Sequence, residues 1–367
     1  MNDATMKIVS TTPISRLKSV AELGQQIWLD NLSRELLDSG ELARWVREDG
    51  IAGVTSNPSI FYNAIRTGSA YQAELPALRI AHVDVEARFE ALVLPDVQRA
   101  CDLLAPLYRD SQGSAGFVSF EVSPRLANDA AGTVASSQRL WAAIDRPNVI
   151  IKIPATQAGI EALEEVIFAG INVNVTLIFS ARQVREVRAA HRRGLQRRND
   201  ALLPLDRIAS VASVFISRID AVVDHRLPNS AAMLRGQAAI AAAKIAYRDW
   251  QQDTQGEFVP LARAGAKPQW LLWASTGTKN PDYRDVLYVE DLIGSETVNT
   301  VPDATLAAFR DHGEARQTLS RNVLAAESVL VQLSTQGIDL EAIGEELLAA
   351  GLKQFEDAFA KLLALVE

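Results

Sequence analysis

Eight short apolar runs alternate with amphipathic stretches along the 367 residues, and no dinucleotide-binding glycine fingerprint follows any of them. Strands alternating with helices build parallel βαβ units. With that fingerprint absent, the pattern predicts an α/β fold, a single closed (β/α)8 TIM barrel, over a doubly wound sheet. Several runs also carry polar residues on one face only. That is the pattern of strands whose apolar face lies under helices while the other lines a barrel interior.

Taken in order, the runs are QIWLD (26–30), IAGVTSN (51–57), GFVSFEV (116–122), NVIIKIP (148–154), INVNVTLIF (171–179), RIASVASVF (207–215), QWLLWAS (269–275) and ETVNTV (296–301). Helix-like segments between them include AGIEALEEVIFAG (158–170) and SARQVREVRAAHRRGL (180–195). The chain is longer than an ordinary barrel of about 250 residues. The surplus falls in the N-terminal segment, in 58–115, and in a helical tail from Pro302. Residues 339–366 of the tail hold apolar residues at helical spacing, which predicts docking on the barrel, with closure over its mouth as the alternative. No linker, low-complexity tract or repeat interrupts the sequence. Residues 1–367 are therefore expected to form one domain, with 302–367 packed on the barrel.

The formal net charge of −8 argues against nucleic acid as a general partner, and 48% hydrophobic with 22% charged residues suits a soluble globular protein. The basic patch HRRGLQRR (191–198) reads as a solvated helix face. Cys101 is the only cysteine, so there is no disulfide framework or thiolate metal site, and its apolar helical setting predicts core packing. No run approaches a membrane span, and the start lacks a signal-peptide apolar region, so a cytoplasmic location without membrane contact is expected.

The stretch VIIKIPAT (149–156) places Lys152 inside an isoleucine run. A lysine there either reaches water from a strand end or is an amine held for chemistry, because burial disfavours the ammonium form. Alternation puts Asn172, Asn174 and Thr176 on one face of their strand, with Ile171, Val173, Val175 and Leu177 on the other. Ser119 and Glu121 likewise share a face. Each residue also has an ordinary explanation. Glu121 alone reads as a strand-end carboxylate in water, and Asn174 with Thr176 as a mutually satisfied pair. Asp30 in WLDNLSREL is placed like a helix N-cap, and Asn57 before Pro58 like a turn residue. Together, polar strand ends around a lysine suit Schiff-base chemistry. A desolvated amine attacks a ketone, the iminium withdraws electrons from the adjacent carbon–carbon bond, and carboxylates move the protons.

WLDNLSRELL, GVTSNPSIF, VSFEVSPRL, VIIKIPAT, NVNVTLIFS, SVFISRID and WASTGTKNPDY occur in an order that resembles the transaldolase family, over about Gln25 to Thr300. The spacing is similar to its longer bacterial subgroup. The resemblance implies a metal-free, cofactor-free class I enzyme of the pentose phosphate pathway. Such an enzyme moves a dihydroxyacetone unit from sedoheptulose 7-phosphate or fructose 6-phosphate to an aldose phosphate. It implies Lys152 as the Schiff-base lysine and Asp30 as the acid/base at the breaking bond. Glu121 with Thr176 would handle the catalytic water, and Asn57 with Asn174 would hold donor hydroxyls. Ser213 and Phe215 would line the site, and Arg218 in FISRID would bind phosphate. Many relatives carry a second phosphate-binding arginine after the seventh strand. Here ASTGTKNP offers Lys279, with Ser275 nearby, and a lysine is a point charge without the planar fork of arginine.

Three rivals remain. A cleavage-only fructose-6-phosphate aldolase of the same superfamily is expected to be much shorter, with glutamine at the water-holding position and tyrosine where Phe215 stands. A non-catalytic sugar-phosphate-binding barrel would need neither Lys152 nor its carboxylates. A metal-dependent aldolase is disfavoured because His82, His191, His225 and His312 all lie outside the predicted strands. Sugar phosphates are the expected partners. A homo-oligomer is compatible with the sequence, which specifies no oligomeric state.

Overall fold

The computed structural model describes residues 15–81 and 84–367, so the N-terminal surplus before Ser15 and His82 lie outside the described residues. All eight predicted runs are strands: β1 Gln25–Leu29, β2 Gly53–Thr55, β3 Phe117–Glu121, β4 Val149–Pro154, β5 Val173–Ile178, β6 Ser210–Phe215, β7 Trp270–Ala274 and β8 Thr297–Val301. Each pairs in parallel with the next, and β8 closes on β1. The two helical segments read from the sequence are Gln157–Phe168 and Ala181–Asp200.

The barrel interior changes character along its axis. Toward the N-terminal end it is mostly apolar, and Trp28, Phe117, Ile150, Val211 and Val298 line a cavity of about 200 Å³ to which Gln26, Lys267 and Glu296 also contribute. Gly53 makes room for this layer. A Cβ there would meet the Trp28 indole at 2.6 Å, so only glycine lets the ring fill the interior beside β2. Toward the C-terminal end the inward positions become polar. Register sets Glu121 beside Lys152, Lys152 beside Asn174, and Pro154 beside Thr176.

Strict alternation fails at one point of β5. The register with β6 shifts between Val175 and Ile178, and Leu177 adopts φ of 60°. This bulge corrects the expectation that Leu177 shares a face with Val173 and Val175. A leucine at positive φ is uncommon, and it follows directly after Thr176 at the mouth, where bulges re-aim side chains.

The surplus between β2 and β3 is helical, comprising Pro58–Thr67, Ser69–Ala81 and Val85–Asp110. After β8 come Asp303–His312, which packs on Arg16–Glu22 as the last barrel helix, then Val323–Thr335 and Leu340–Val366. The last of these crosses the C-terminal mouth and packs on Pro58–Thr67 and on β5. Asp339 caps it, accepting from the amides of Glu341 and Ala342.

The basic patch at 191–198 is more than a solvated face. Arg192 pairs with Asp253, Arg193 and Arg197 reach Glu164, and His191 and Arg198 are buried. These pairs tie the helix to its neighbours. Cys101 is fully buried in the core, as its setting predicted. Among the described residues no helix is long and apolar enough to cross a membrane.

Candidate active site

Ten of the residues singled out in the sequence line one cavity of about 250 Å³ at the C-terminal mouth. They are Asp30, Asn57, Lys152, Asn174, Thr176, Ser213, Phe215, Arg218, Ser275 and Lys279. Glu121 borders it through Lys152, to which it is paired at 2.5 Å (Nζ to Oε1).

Lys152 does not reach water from a strand end. The residue is 6% exposed, and its ammonium also donates to the Ser56 carbonyl at 3.1 Å. Glu121 is equally enclosed, which overturns the reading of it as a solvated carboxylate. Burial pushes the Glu121 carboxyl above the usual range. Lys152 pulls it down and Asp30 adds a smaller upward push. A carboxyl raised in this way is a better proton acceptor than an ordinary one. Moving a proton from Lys152 to Glu121, which frees the amine as a nucleophile, is cheaper for it.

Asp30 is not a helix cap. Ser33 caps Arg34–Asp38, its side chain accepting from the Leu36 amide, because the chain turns away from β1 before the helix begins. Asp30 is left at the cavity, where it accepts from the Thr55 hydroxyl at 2.8 Å. Thr55 in turn sits 2.7 Å from the Thr300 hydroxyl, which donates to it since the single Thr55 proton is committed to Asp30. Burial raises the Asp30 carboxyl, and the Lys152 charge and the Thr55 bond oppose that. A carboxyl poised above its ordinary range suits a group that must take and return a proton.

Asn174 and Thr176 do not satisfy one another. The Asn174 amide donates to Ser119 Oγ at 3.0 Å and accepts from Ser213 Oγ at 2.7 Å. This chain runs from β3 to β6 beneath Lys152 and fixes the amide's orientation, leaving one N–H available. The buried Thr176 hydroxyl has no protein partner, so it can serve a bound molecule. Asn57 is the N-cap of Pro58–Thr67, its Oδ1 accepting from the Ile60 amide, with Pro58 at the first helical position. That bond consumes the oxygen and presents the amide nitrogen to the cavity.

The cationic end of the site comes from the helix that follows β6 and the segment that follows β7. Arg218 lies in Ser217–Arg226, half-buried and with no carboxylate partner among the described residues. Its guanidinium stands 5.4 Å from the Phe215 ring centroid, and burial pulls its pKa down. A desolvated cation without a counter-ion favours an anionic ligand. Lys279 is exposed on the segment after β7. Ser275, at φ of 55°, shares a 3.0 Å hydroxyl contact with Ser217 and so joins the segment after β7 to the start of that helix. A second tie is the Tyr283 hydroxyl, which donates to Asp224 at 2.5 Å.

Sequence reasoning missed Thr55, Thr300, the Tyr283–Asp224 tie and Phe355. Thr55 was within reach, since it stands two positions before Asn57 on the inward face. The others depend on contacts far apart in the chain. Among the described residues no three or more His, Cys, Asp or Glu side chains cluster as metal ligands.

Residues 27–366 match the family model described as Transaldolase/Fructose-6-phosphate aldolase. A protein of Thiobacillus denitrificans named Transaldolase is 51% identical over 352 residues, covering 95% of this chain and 98% of that relative. One of Neisseria gonorrhoeae with the same name is 50% identical, covering 95% and 98%. Transaldolase 1 of Streptomyces coelicolor is 44% identical, covering 97% and 95%.

Proposed function

The chain belongs to the transaldolase/fructose-6-phosphate aldolase family, and on that premise we propose that the C-terminal cavity transfers a dihydroxyacetone unit through a Schiff base on Lys152. Its activity is that of a transaldolase, a metal-independent transferase acting on sugar phosphates in the pentose phosphate pathway. The observation that carries the assignment of roles is the buried Lys152 paired with Glu121 and facing the same cavity as Asp30.

Lys152 gives up a proton to Glu121, and its amine attacks the C2 carbonyl of fructose 6-phosphate or sedoheptulose 7-phosphate. Glu121 returns that proton to the departing hydroxyl, so water leaves and an iminium forms. Asp30 then takes the proton of the C4 hydroxyl. The C3–C4 bond breaks, its electrons pass to the iminium, and the aldose phosphate departs. The enamine carbon attacks the aldehyde of the acceptor, glyceraldehyde 3-phosphate or erythrose 4-phosphate, while Asp30 returns the proton. Water, held by Glu121 and the Thr176 hydroxyl, hydrolyses the new iminium and restores the amine. Asn57 and Asn174 hold hydroxyls of the three-carbon unit, Ser213 and Phe215 line its walls, and Arg218 with Ser275 and Lys279 receives the phosphate. One domain carries all of this, the barrel with residues 302–367 packed on it.

The test is product analysis with fructose 6-phosphate and erythrose 4-phosphate. Sedoheptulose 7-phosphate and glyceraldehyde 3-phosphate in equal amounts are expected. Free dihydroxyacetone as the main product would replace transfer with cleavage.

A further inference from the structure

The last helix, Leu340–Val366, contributes a side chain to the site. Gly344, Gly351, Phe355 and Phe359 fall on one stripe of it at spacings of seven and four residues. The two glycines set how close the helix comes. A Cβ at Gly344 would stand 2.7 Å from Ser180 Cβ, and one at Gly351 3.0 Å from Leu177 Cδ2. The bulged leucine of β5 therefore packs into the space that Gly351 leaves open. With the helix this near, Phe355 lines the cavity and its ring centroid lies 5.8 Å from Lys152 Nζ. One turn further on, Phe359 is buried edge-on against Phe89, 5.8 Å between centroids, beside the pocket behind Glu121.

The helix is tied down along its length. Glu345 and Glu346 pair with Arg182 and Arg226, and Arg88 donates to the carbonyls of Val366 and Glu367 at 2.8 Å. Phe355 thus stands on a helix held at points on both sides of it. Aromatic faces attract cations, and an apolar ring at this range also keeps water from the atoms bonded to Nζ.

We propose that Phe355 is part of the active site and governs how the three-carbon unit on Lys152 is divided between acceptor and water. The inference rests on the transaldolase reading. After the C3–C4 bond breaks, the enamine carbon has two fates. It forms a carbon–carbon bond with an acceptor aldehyde, or it takes a proton from water. In the second case the resulting iminium adds water and releases dihydroxyacetone and the free amine, which returns the water lost when the iminium formed. Phe355 closes the second route by standing over the enamine.

The experiment uses the full chain with Phe355→Ala and Phe355→Leu, and Gln354→Ala on the exposed face as control. With fructose 6-phosphate as donor and erythrose 4-phosphate as acceptor, free dihydroxyacetone and sedoheptulose 7-phosphate are both measured. The ratio of release to transfer is expected to rise about tenfold in Phe355→Ala, the order that one apolar wall group is worth in discrimination. Phe355→Leu, which keeps apolar bulk, should fall between, and Gln354→Ala should match the parent. An unchanged ratio in both Phe355 variants, even with both rates reduced, overturns the inference. Should Phe355→Ala not fold, the ratio in Phe355→Leu decides. A parent enzyme without transfer would instead overturn the underlying reading.

Discussion

Replacing Glu121 with glutamine separates proton transfer from mere positioning. The substitution keeps size and hydrogen-bonding reach but leaves no group at that position able to carry a proton at neutral pH. Turnover should fall by on the order of 10²–10⁴, the usual worth of general acid–base catalysis, while KM for fructose 6-phosphate changes little. Stability should also respond, because Glu121 is one half of a buried ion pair with its Nζ to Oε1 distance at 2.5 Å. Removing one partner of such a pair costs about 3–5 kcal/mol when the remaining charge stays buried. Lys152 keeps the Ser56 carbonyl as a partner, and the glutamine amide oxygen can still accept from it. The loss should therefore lie at or below the lower end, a midpoint shift of under about 10 °C. Steady-state kinetics and thermal unfolding of the variant decide. Full turnover would reduce Glu121 to a structural counter-ion. A large loss of stability with activity falling only in proportion to the folded fraction would do the same.

Arg218→Ala should weaken use of fructose 6-phosphate by about 10- to 100-fold in kcat/KM, from a charge-assisted contact worth roughly 1.5–3 kcal/mol. Lys279→Ala should cost less, because Lys279 is exposed and screened whereas Arg218 is half-buried; equal kinetics in both variants and parent would misplace the phosphate end. The acid limb of kcat/KM should lie above the ordinary carboxylate range, since burial raises Asp30 and its base form is lost as pH falls through the raised value. Asp30→Asn should lose turnover at every pH, and an acid limb at the usual carboxylate value in the parent would contradict the assignment.

The barrel was legible because its signals are local. Each strand is a short apolar run, and the polar positions of β3 and β5 stand at alternate residues whose inward direction follows from the pleat. Lys152 stood out because a lysine in an isoleucine run must either reach water from the strand end or be held for chemistry. For Asp30 the sequence offers a cap as the alternative, since an Asp and a Ser three residues apart both suit a cap, and only the path of the chain selects Ser33 and leaves Asp30 at the cavity. The bulge at Leu177 has no sequence signature, because positive φ in a leucine is imposed by tertiary packing. Phe355 looked like one more apolar residue of an amphipathic helix. What brings it to Lys152 is the close approach allowed by Gly344 and Gly351, and a single sequence does not say what those glycines face.

The proposed reaction requires a covalent bond between Lys152 and substrate. Borohydride reduction during turnover of fructose 6-phosphate, followed by peptide mapping, should find one reduced three-carbon adduct, on the peptide containing Lys152, and none in Lys152→Met. An adduct on another lysine, or no adduct with enzyme that remains active, would contradict it.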